Sequence, residues 1–317
     1  MNKLKSIIIM SILLLSIFIV LSPVSAATYH VYERDGWQVL HDTIQNAPSG
    51  STIYVHAGTY YILDPIDIMT YSNITVIGDS PHNTIIDAKD SGGYGFLCAQ
   101  NYFTIKNITV RNAPYTGIRV ASDYSLIENC IVYGSGNNGF EASNYCTFKN
   151  CLSYDNGDDG FDDEEECTYI NCTAANNGDE GFYSLFGGSK YENCISFGNT
   201  GYGFYSNSAN SLEIIYSNAW DNQQDYSNQV QGTGSISVDP KFVDGINTFY
   251  LSTSSPCVDK GSDKSATLGL YQGFTTRTDG RWDTGTVDMG FHYSSNRGPP
   301  SSLPIAKILE ILKGNKE

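Results

Sequence analysis

The chain has 317 residues, 34 acidic against 18 basic, and a formal net charge of −16. That balance excludes nucleic-acid binding, which needs clustered Lys and Arg to neutralise phosphates. Apolar residues at 40% and aromatics at 13% exclude a disordered acidic tail, and 16% charged residues with 31 glycines argue against long amphipathic helices.

The first segment reads as a secretory leader. Lys3 and Lys5 supply its positive start, residues 7–21 are apolar apart from Ser11 and Ser16, and Val24, Ser25 and Ala26 offer a small-residue cleavage site. The expected layout is signal peptide 1–26, N-terminal cap 27–49, repeat domain 50–235, closing region 236–294, and linker with short tail helix 295–317. No later segment is long enough to span a bilayer, so the protein is expected outside the membrane, secreted or at the cell surface, as a monomer. In the cap, Asp35 is positioned to N-cap a helix with Trp37, Leu40, Ile44 and Ala47 on one stripe.

Fixed-period self-similarity dominates the middle of the chain. Gly followed by a large apolar residue recurs at 95, 117, 139, 160, 181 and 203, at intervals of 22, 22, 21, 21 and 22. Asn recurs on the same period at 107, 129, 150, 171 and 193. Between these markers lie short alternating runs bounded by turn residues, which are strand-like. No helix-length stripe fits inside such a unit. The pattern predicts an all-β solenoid, a parallel β-helix of 21–22-residue coils stacked about 4.8 Å apart. The Gly column then marks a corner needing positive φ or close backbone approach, and the Asn column a side-chain hydrogen-bond ladder. Past residue 235 the period is lost. In the tail, Ile305, Ile308, Leu309 and Leu312 form one short stripe.

Cys130, Cys151, Cys172 and Cys194 share one column and read as a stack of buried thiols. Cys146 and Cys167 share another, within disulfide reach but in register, which is not the ideal geometry. With no Cys-x-x-Cys and five scattered histidines, zinc is not expected.

Acid is concentrated between Lys149 and Lys190, where ten Asp and Glu occur and no Lys or Arg. Register against the Gly column places Asp158, Asp159 and Asp162 at one corner of one coil. Asn137 and Glu141 fall one coil before, Asp179 and Glu180 one coil after. Converging carboxylates raise one another's pKa unless a cation sits among them, and Ca²⁺, taking six to eight oxygens, suits such a set. Residues 163–166 read as an ordinary solvated charge run.

Asp158-Asp159-Gly160-Phe161-Asp162 on a Gly-Phe coil repeat resembles the calcium motif of the family-nine pectate lyases, right-handed parallel β-helices of the pectin-lyase-like superfamily. The resemblance implies Ca²⁺ held by Asp158, Asp159 and Asp162, with the fourth place near Asn137. It also implies removal of the C5 proton of a uronic acid by a Lys one coil on; here that position is Tyr183. The candidate catalytic residues are therefore Tyr183, as the group at the base position, and Arg119, two coils from Asp162 in the same column and about 10 Å away, as a partner for a sugar carboxylate or an unusual base. The implied partner is an acidic polysaccharide or cell-surface glycan, and the implied chemistry is Ca²⁺-dependent β-elimination. Two other readings remain open: a non-catalytic glycan-binding β-helix, and a glycoside hydrolase using Glu141 with Asp162 or Asp179.

Overall fold

The computed structural model describes residues 25–243, 248–270 and 273–294. The expected leader, up to residue 24, and the expected linker and tail helix, 295–317, lie outside the described residues.

Three parallel sheets of nine, eight and eight strands run the length of a right-handed solenoid. Each coil contributes one short strand to each sheet. In one coil these are Phe140–Asn144, Thr147–Lys149 and Leu152–Tyr154. Successive coils pair in register: Ile118 with Phe140, Phe140 with Phe161, Phe161 with Phe182, and Phe182 with Phe204. Period-2 alternation sends these side chains inward, where the Phe rings stack face to face, 4.9 to 5.0 Å apart from Phe140 to Phe204. Phe148, Tyr169 and Tyr191 form a second interior column that meets the first edge-on, as between Phe161 and Tyr169 at 5.6 Å.

The Gly column marks close approach rather than positive φ. A Cβ at Gly139 would lie 2.0 Å from Ser153 Oγ, and one at Gly160 would lie 2.7 Å from both Asn177 Nδ2 and Gly181 O. Positive φ belongs instead to the Asn column, at 51° to 58° from Asn107 to Asn193, a region Asn tolerates better than most residues. The expected amide ladder is present: Asn129 Nδ2 donates to Asn107 Oδ1 at 2.8 Å, and Asn150 Nδ2 to Asn129 Oδ1 at 3.1 Å.

At the N-terminal end the helix Trp37–Asn46 buries Leu40 and Ile44. Its N-cap is Gly36 rather than Asp35, whose carboxylate turns back to accept from Tyr32 N at 2.9 Å. Strand Thr28–Val31 precedes this helix and already pairs with Thr52–Val55, so the parallel sheet begins inside the segment expected to be cap alone. The region after 235 does not simply close the far end. It runs back along the side of the solenoid, where Phe249, Tyr250, Phe291 and Tyr293 cover Ile131, Leu152 and Tyr154. It also takes over the Asn ladder: Asn150 Nδ2 donates to His292 O and Asn171 Nδ2 to Asp288 O. The described cysteines are buried and free, including Cys146 and Cys167. No helix among the described residues is long and apolar enough to cross a membrane.

Candidate functional site

The acidic corner lies where the chain turns into the strands Phe140–Asn144, Phe161–Glu165 and Phe182–Gly187. Three columns converge there. In the first, Asp158 N donates to Asn137 O at 3.3 Å and Asp179 N to Asp158 O at 3.1 Å, stacking Asn137, Asp158 and Asp179. In the second, Asn138 Oδ1 accepts from Asp159 N at 3.1 Å, and Asp159 Oδ1 from Glu180 N at 2.8 Å. Asp159 thus spends one oxygen on the stack. The third column, two residues after the glycines, pairs Arg119 with Glu141, Glu141 with Asp162, Asp162 with Tyr183, and Tyr183 with Tyr205.

The sequence reading grouped Asp158, Asp159 and Asp162 with Asn137; among the acidic side chains the structure also brings Asp179 in. Asp158, Asp159 and Asp179 each offer an oxygen, all three within 4.8 Å of one another. Asp162 lines the adjoining cavity, and its Oδ2 accepts from Asn138 Nδ2 at 2.9 Å. It still feels the others. Burial, then the charges of Glu141, Asp163 and Asp158, push Asp162 up to about 8. Burial, then Glu180 and Asp162, push Asp159 up to about 10. Burial, then Asp179, raises Asp158. In each case burial is the larger cause and the neighbouring carboxylates add to it.

Asp163 departs from the solvated run expected at 163–166. Strand alternation turns it inward, and it is 1% exposed. Four hydroxyls donate to it: Ser184 at 2.7 Å, Ser189 at 2.8 Å, Tyr169 at 2.9 Å and Tyr191 at 3.3 Å. Burial raises it to about 6 against those donors.

A cavity of about 270 Å³ runs along the third column, lined by Arg119, Glu141, Asp162, Tyr183 and Leu185 among others. Arg119 is held at one end. Its Nε lies 3.3 Å from Glu141 Oε1, and its Nη1 donates to Tyr94 OH at 2.8 Å. Burial works against its charge, but Glu141 and Tyr94 more than offset this, and its pKa is raised. Tyr183 holds the other end. Its pKa is raised by burial and by the charge of Asp162, opposed by Asn207. Asn207 Nδ2 donates to Tyr183 OH at 2.8 Å, and Asn207 Oδ1 accepts from Tyr205 OH at 3.0 Å. Sequence reading missed Asn207, which carries no periodic signal. It also missed a second buried amide ladder, Asn156, Asn177, Asn199 and Asn222, linked at 2.8 to 3.0 Å directly before the acidic turn; its period of 21 to 23 residues was there to be found. Lys190 is on a different sheet, paired with Glu192 at 3.0 Å.

A right-handed parallel β-helix with these features belongs to the pectin-lyase-like class of fold. The Pel9A-like right-handed β-helix family matches residues 20–188, more than half of the sequence, and the chain belongs to that family. No curated protein sequence matches it. Among solved structures it is similar to pectate lyase Pel9A, at 18% identity and a TM-score of 0.55 over 84% of this chain and 97% of that one. It is also similar to a mannuronic acid-specific family 6 polysaccharide lyase from human gut microbiota, at 11% identity and a TM-score of 0.50 over 62% of this chain and 55% of that one. A third neighbour is ORF18 of Geobacillus virus E2, at 15% identity and a TM-score of 0.51 over 61% and 53% of the two chains. At these identities the likeness is one of fold.

Proposed function

We propose that this protein is a secreted β-helix that engages an acidic polysaccharide of the polyuronate class, with Ca²⁺ at the acidic corner, and acts on it by β-elimination. The observation carrying this reading is the convergence of Asp158, Asp159 and Asp179, with Asp162 beside them, next to a cavity on the outer face of the solenoid. The donors fit a hard cation: all are oxygens, and burial together with neighbouring carboxylates pushes Asp159 up to about 10 and Asp162 up to about 8. Asn137, one coil before Asp158 in the same column, adds an amide oxygen to the candidates. When bound, Ca²⁺ supplies positive charge to a sugar carboxylate and to the anion formed next to it.

The chain's own residues supply the rest. Arg119, charged and fixed by Glu141 and Tyr94, is a partner for a carboxylate further along the polymer. Tyr183 is the hydroxyl placed to accept or return a proton. Asn207 favours its anionic form by donating to the phenol oxygen, whereas burial and Asp162 oppose it.

That opposition favours a second reading, capture of the polymer without cleavage. Tyr183 and Arg119 are both shifted away from their basic forms. Incubation with polyuronates, with Ca²⁺ and with EDTA, separates the readings. Calcium-dependent growth of ultraviolet absorbance from unsaturated products, lost in Tyr183→Phe, supports elimination. Calcium-dependent retention on immobilised polyuronate with no products supports capture. New reducing ends without that absorbance point to hydrolysis, and no interaction with any polyuronate sinks the proposal.

A further inference from the structure

We propose that His30 and His56 form a binding site for a divalent transition cation of the zinc class, oriented by Asp79. The three residues lie on consecutive coils at the N-terminal edge of the nine-stranded sheet. His30 is on the edge strand Thr28–Val31, His56 follows Thr52–Val55, and Asp79 follows Thr75–Gly78. Separations of 26 and 23 residues made these histidines look scattered in the sequence. Coil stacking brings His30 Nδ1 to 3.1 Å from His56 Nε2.

Four observations point to a shared cation. First, two nitrogens bound to one ion at about 2.0–2.1 Å, with an angle between the right angle and the tetrahedral value, lie about 2.9–3.4 Å apart. The observed separation of 3.1 Å, which an N–H···N hydrogen bond also gives, falls in that range, with the two ring planes 11° apart and their centroids 5.3 Å apart. Second, His56 Nδ1 lies 3.2 and 3.3 Å from the two Asp79 oxygens, and Asp79 Oδ2 is fixed by Ala57 N at 2.9 Å. A carboxylate accepts, so Asp79 favours the His56 tautomer with the proton on Nδ1, which leaves Nε2 of the neutral ring as the lone pair. A carboxylate behind a histidine is the usual support of a metal-binding imidazole. Third, the rings are held in place: Tyr32 stacks on His56 at 4.3 Å and Tyr54 on His30 at 5.1 Å. Fourth, His30 is exposed and His56 half-buried, which leaves room for water to complete the coordination.

In the metal-free chain His30 Nδ1 and His56 Nε2 share one hydrogen bond. An ion between them takes a lone pair from each nitrogen and displaces the shared proton, to the other nitrogen of His30 or to water. Imidazole nitrogens favour Zn²⁺, Ni²⁺ and Cu²⁺ over Ca²⁺, so this site and the acidic corner take different ions. The ion would clip the exposed edge strand to its neighbour, at the place where a parallel stack is most open to unwanted pairing.

The test is a Zn²⁺ titration of the untagged protein in excess Ca²⁺, which occupies the carboxylate corner, read by calorimetry and by thermal unfolding. One equivalent should bind and raise the unfolding temperature. His30→Gln and His56→Gln should each remove that event, and Asp79→Asn should weaken it about 10- to 100-fold at unchanged stoichiometry. All three positions lie outside the core, and far-UV circular dichroism checks that the variants fold. Zn²⁺ binding as tight in the His30→Gln/His56→Gln variant as in the parent overturns the proposal, as does the absence of any Zn²⁺-dependent heat or shift in the parent.

Discussion

At one corner of each coil, Asn107, Asn129, Asn150, Asn171 and Asn193 stack in a single column. At another, Asn137, Asp158 and Asp179 stack at the same spacing beside Asn138, Asp159 and Glu180. An amide carries both a donor and an acceptor, so a column of amides satisfies itself: from Asn129 onward, Nδ2 reaches the Oδ1 of the coil before, or a backbone oxygen of the closing region. A carboxylate only accepts. A column of carboxylates repeats one charge; backbone and amide donors answer part of it, as Glu180 N does for Asp159, and the remaining charge favours protons or a cation. The acid clusters of the closing region show the other remedy. There Asp283 faces His292 at 2.7 Å and accepts from Asp288 N at 2.9 Å, while Asp288 accepts from Asp259 N at 2.7 Å. The same repeat geometry is scaffold where the side chain complements itself and a candidate site where it does not.

The most damaging way to break this contrast is to write a carboxylate into the amide column. Asn171 is fully buried, and its Nδ2 donates to Asp288 O. Asn171→Asp deletes that donor and sets a carboxylate against carbonyl oxygens, and it should cost about 3 kcal/mol or more. Urea unfolding reads this as a lower midpoint at unchanged slope. A loss below about 1 kcal/mol would mean that carboxylates are tolerated in either column, and the comparison would fail.

Calcium should produce the next largest effect. At a free concentration about 100 times its Kd, binding to the folded state alone adds about 2.7 kcal/mol. The thermal midpoint of a chain this size should rise by roughly 4 °C. Two single variants sharpen the site. Asp179→Asn should abolish the rise if Asp158, Asp159 and Asp179 hold the ion. Asp162→Asn should abolish it if Asp162 joins the set and leave it unchanged if it does not. No rise in the parent would reduce the corner to a charged surface.

The metal-free protein should also lose stability as pH rises. Asp162 titrates near 8 when folded and near 3.8 in its ordinary state, so between those values the folded chain binds more protons than the unfolded one. Stability therefore falls with pH across that window, and the raised pKa of Asp159 extends the fall beyond it. Unfolding midpoints in EDTA should drop from pH 5 to pH 8, and Ca²⁺ should restore more at pH 8 than at pH 5. A flat profile in EDTA would show that the carboxylates repel too weakly to matter.

Much of this contrast was legible in the sequence because a solenoid converts period into proximity. The glycines at 139, 160 and 181 fixed the register, and the register alone placed Asp158, Asp159 and Asp179 on adjacent coils. Other features depend on facts that register does not carry. Asp163 sits one residue from Asp162, and only strand alternation distinguishes a solvated acid from one buried among four hydroxyls. Asp162 and Asp179 flank Asp158 and Asp159 in different columns, and register alone does not say which of the two comes into the close set. The closing region's return along the Asn ladder is a contact across more than a hundred residues between aperiodic and periodic chain. His30 and His56 escaped notice because the first coil contains a helix, which stretches the period past the repeat seen elsewhere.

The smallest effect is the most pointed. If the acids stand together in spite of their repulsion, converting them to amides should stabilise the metal-free chain while removing its response to calcium. Asp179 is exposed and Asp158 half-buried, so solvent screens most of their interaction. The gain from Asp158→Asn/Asp179→Asn in EDTA should be about 0.5 kcal/mol and no more than about 1 kcal/mol. It should shrink in high salt, where exposed charges are screened further. Chemical unfolding at low and high ionic strength reads both terms. A variant less stable than the parent in EDTA, at either salt, would mean that hydrogen bonds from the surrounding turn hold these carboxylates in place. The corner would then be a structural feature like the amide column, and its acids would give no reason to expect an ion.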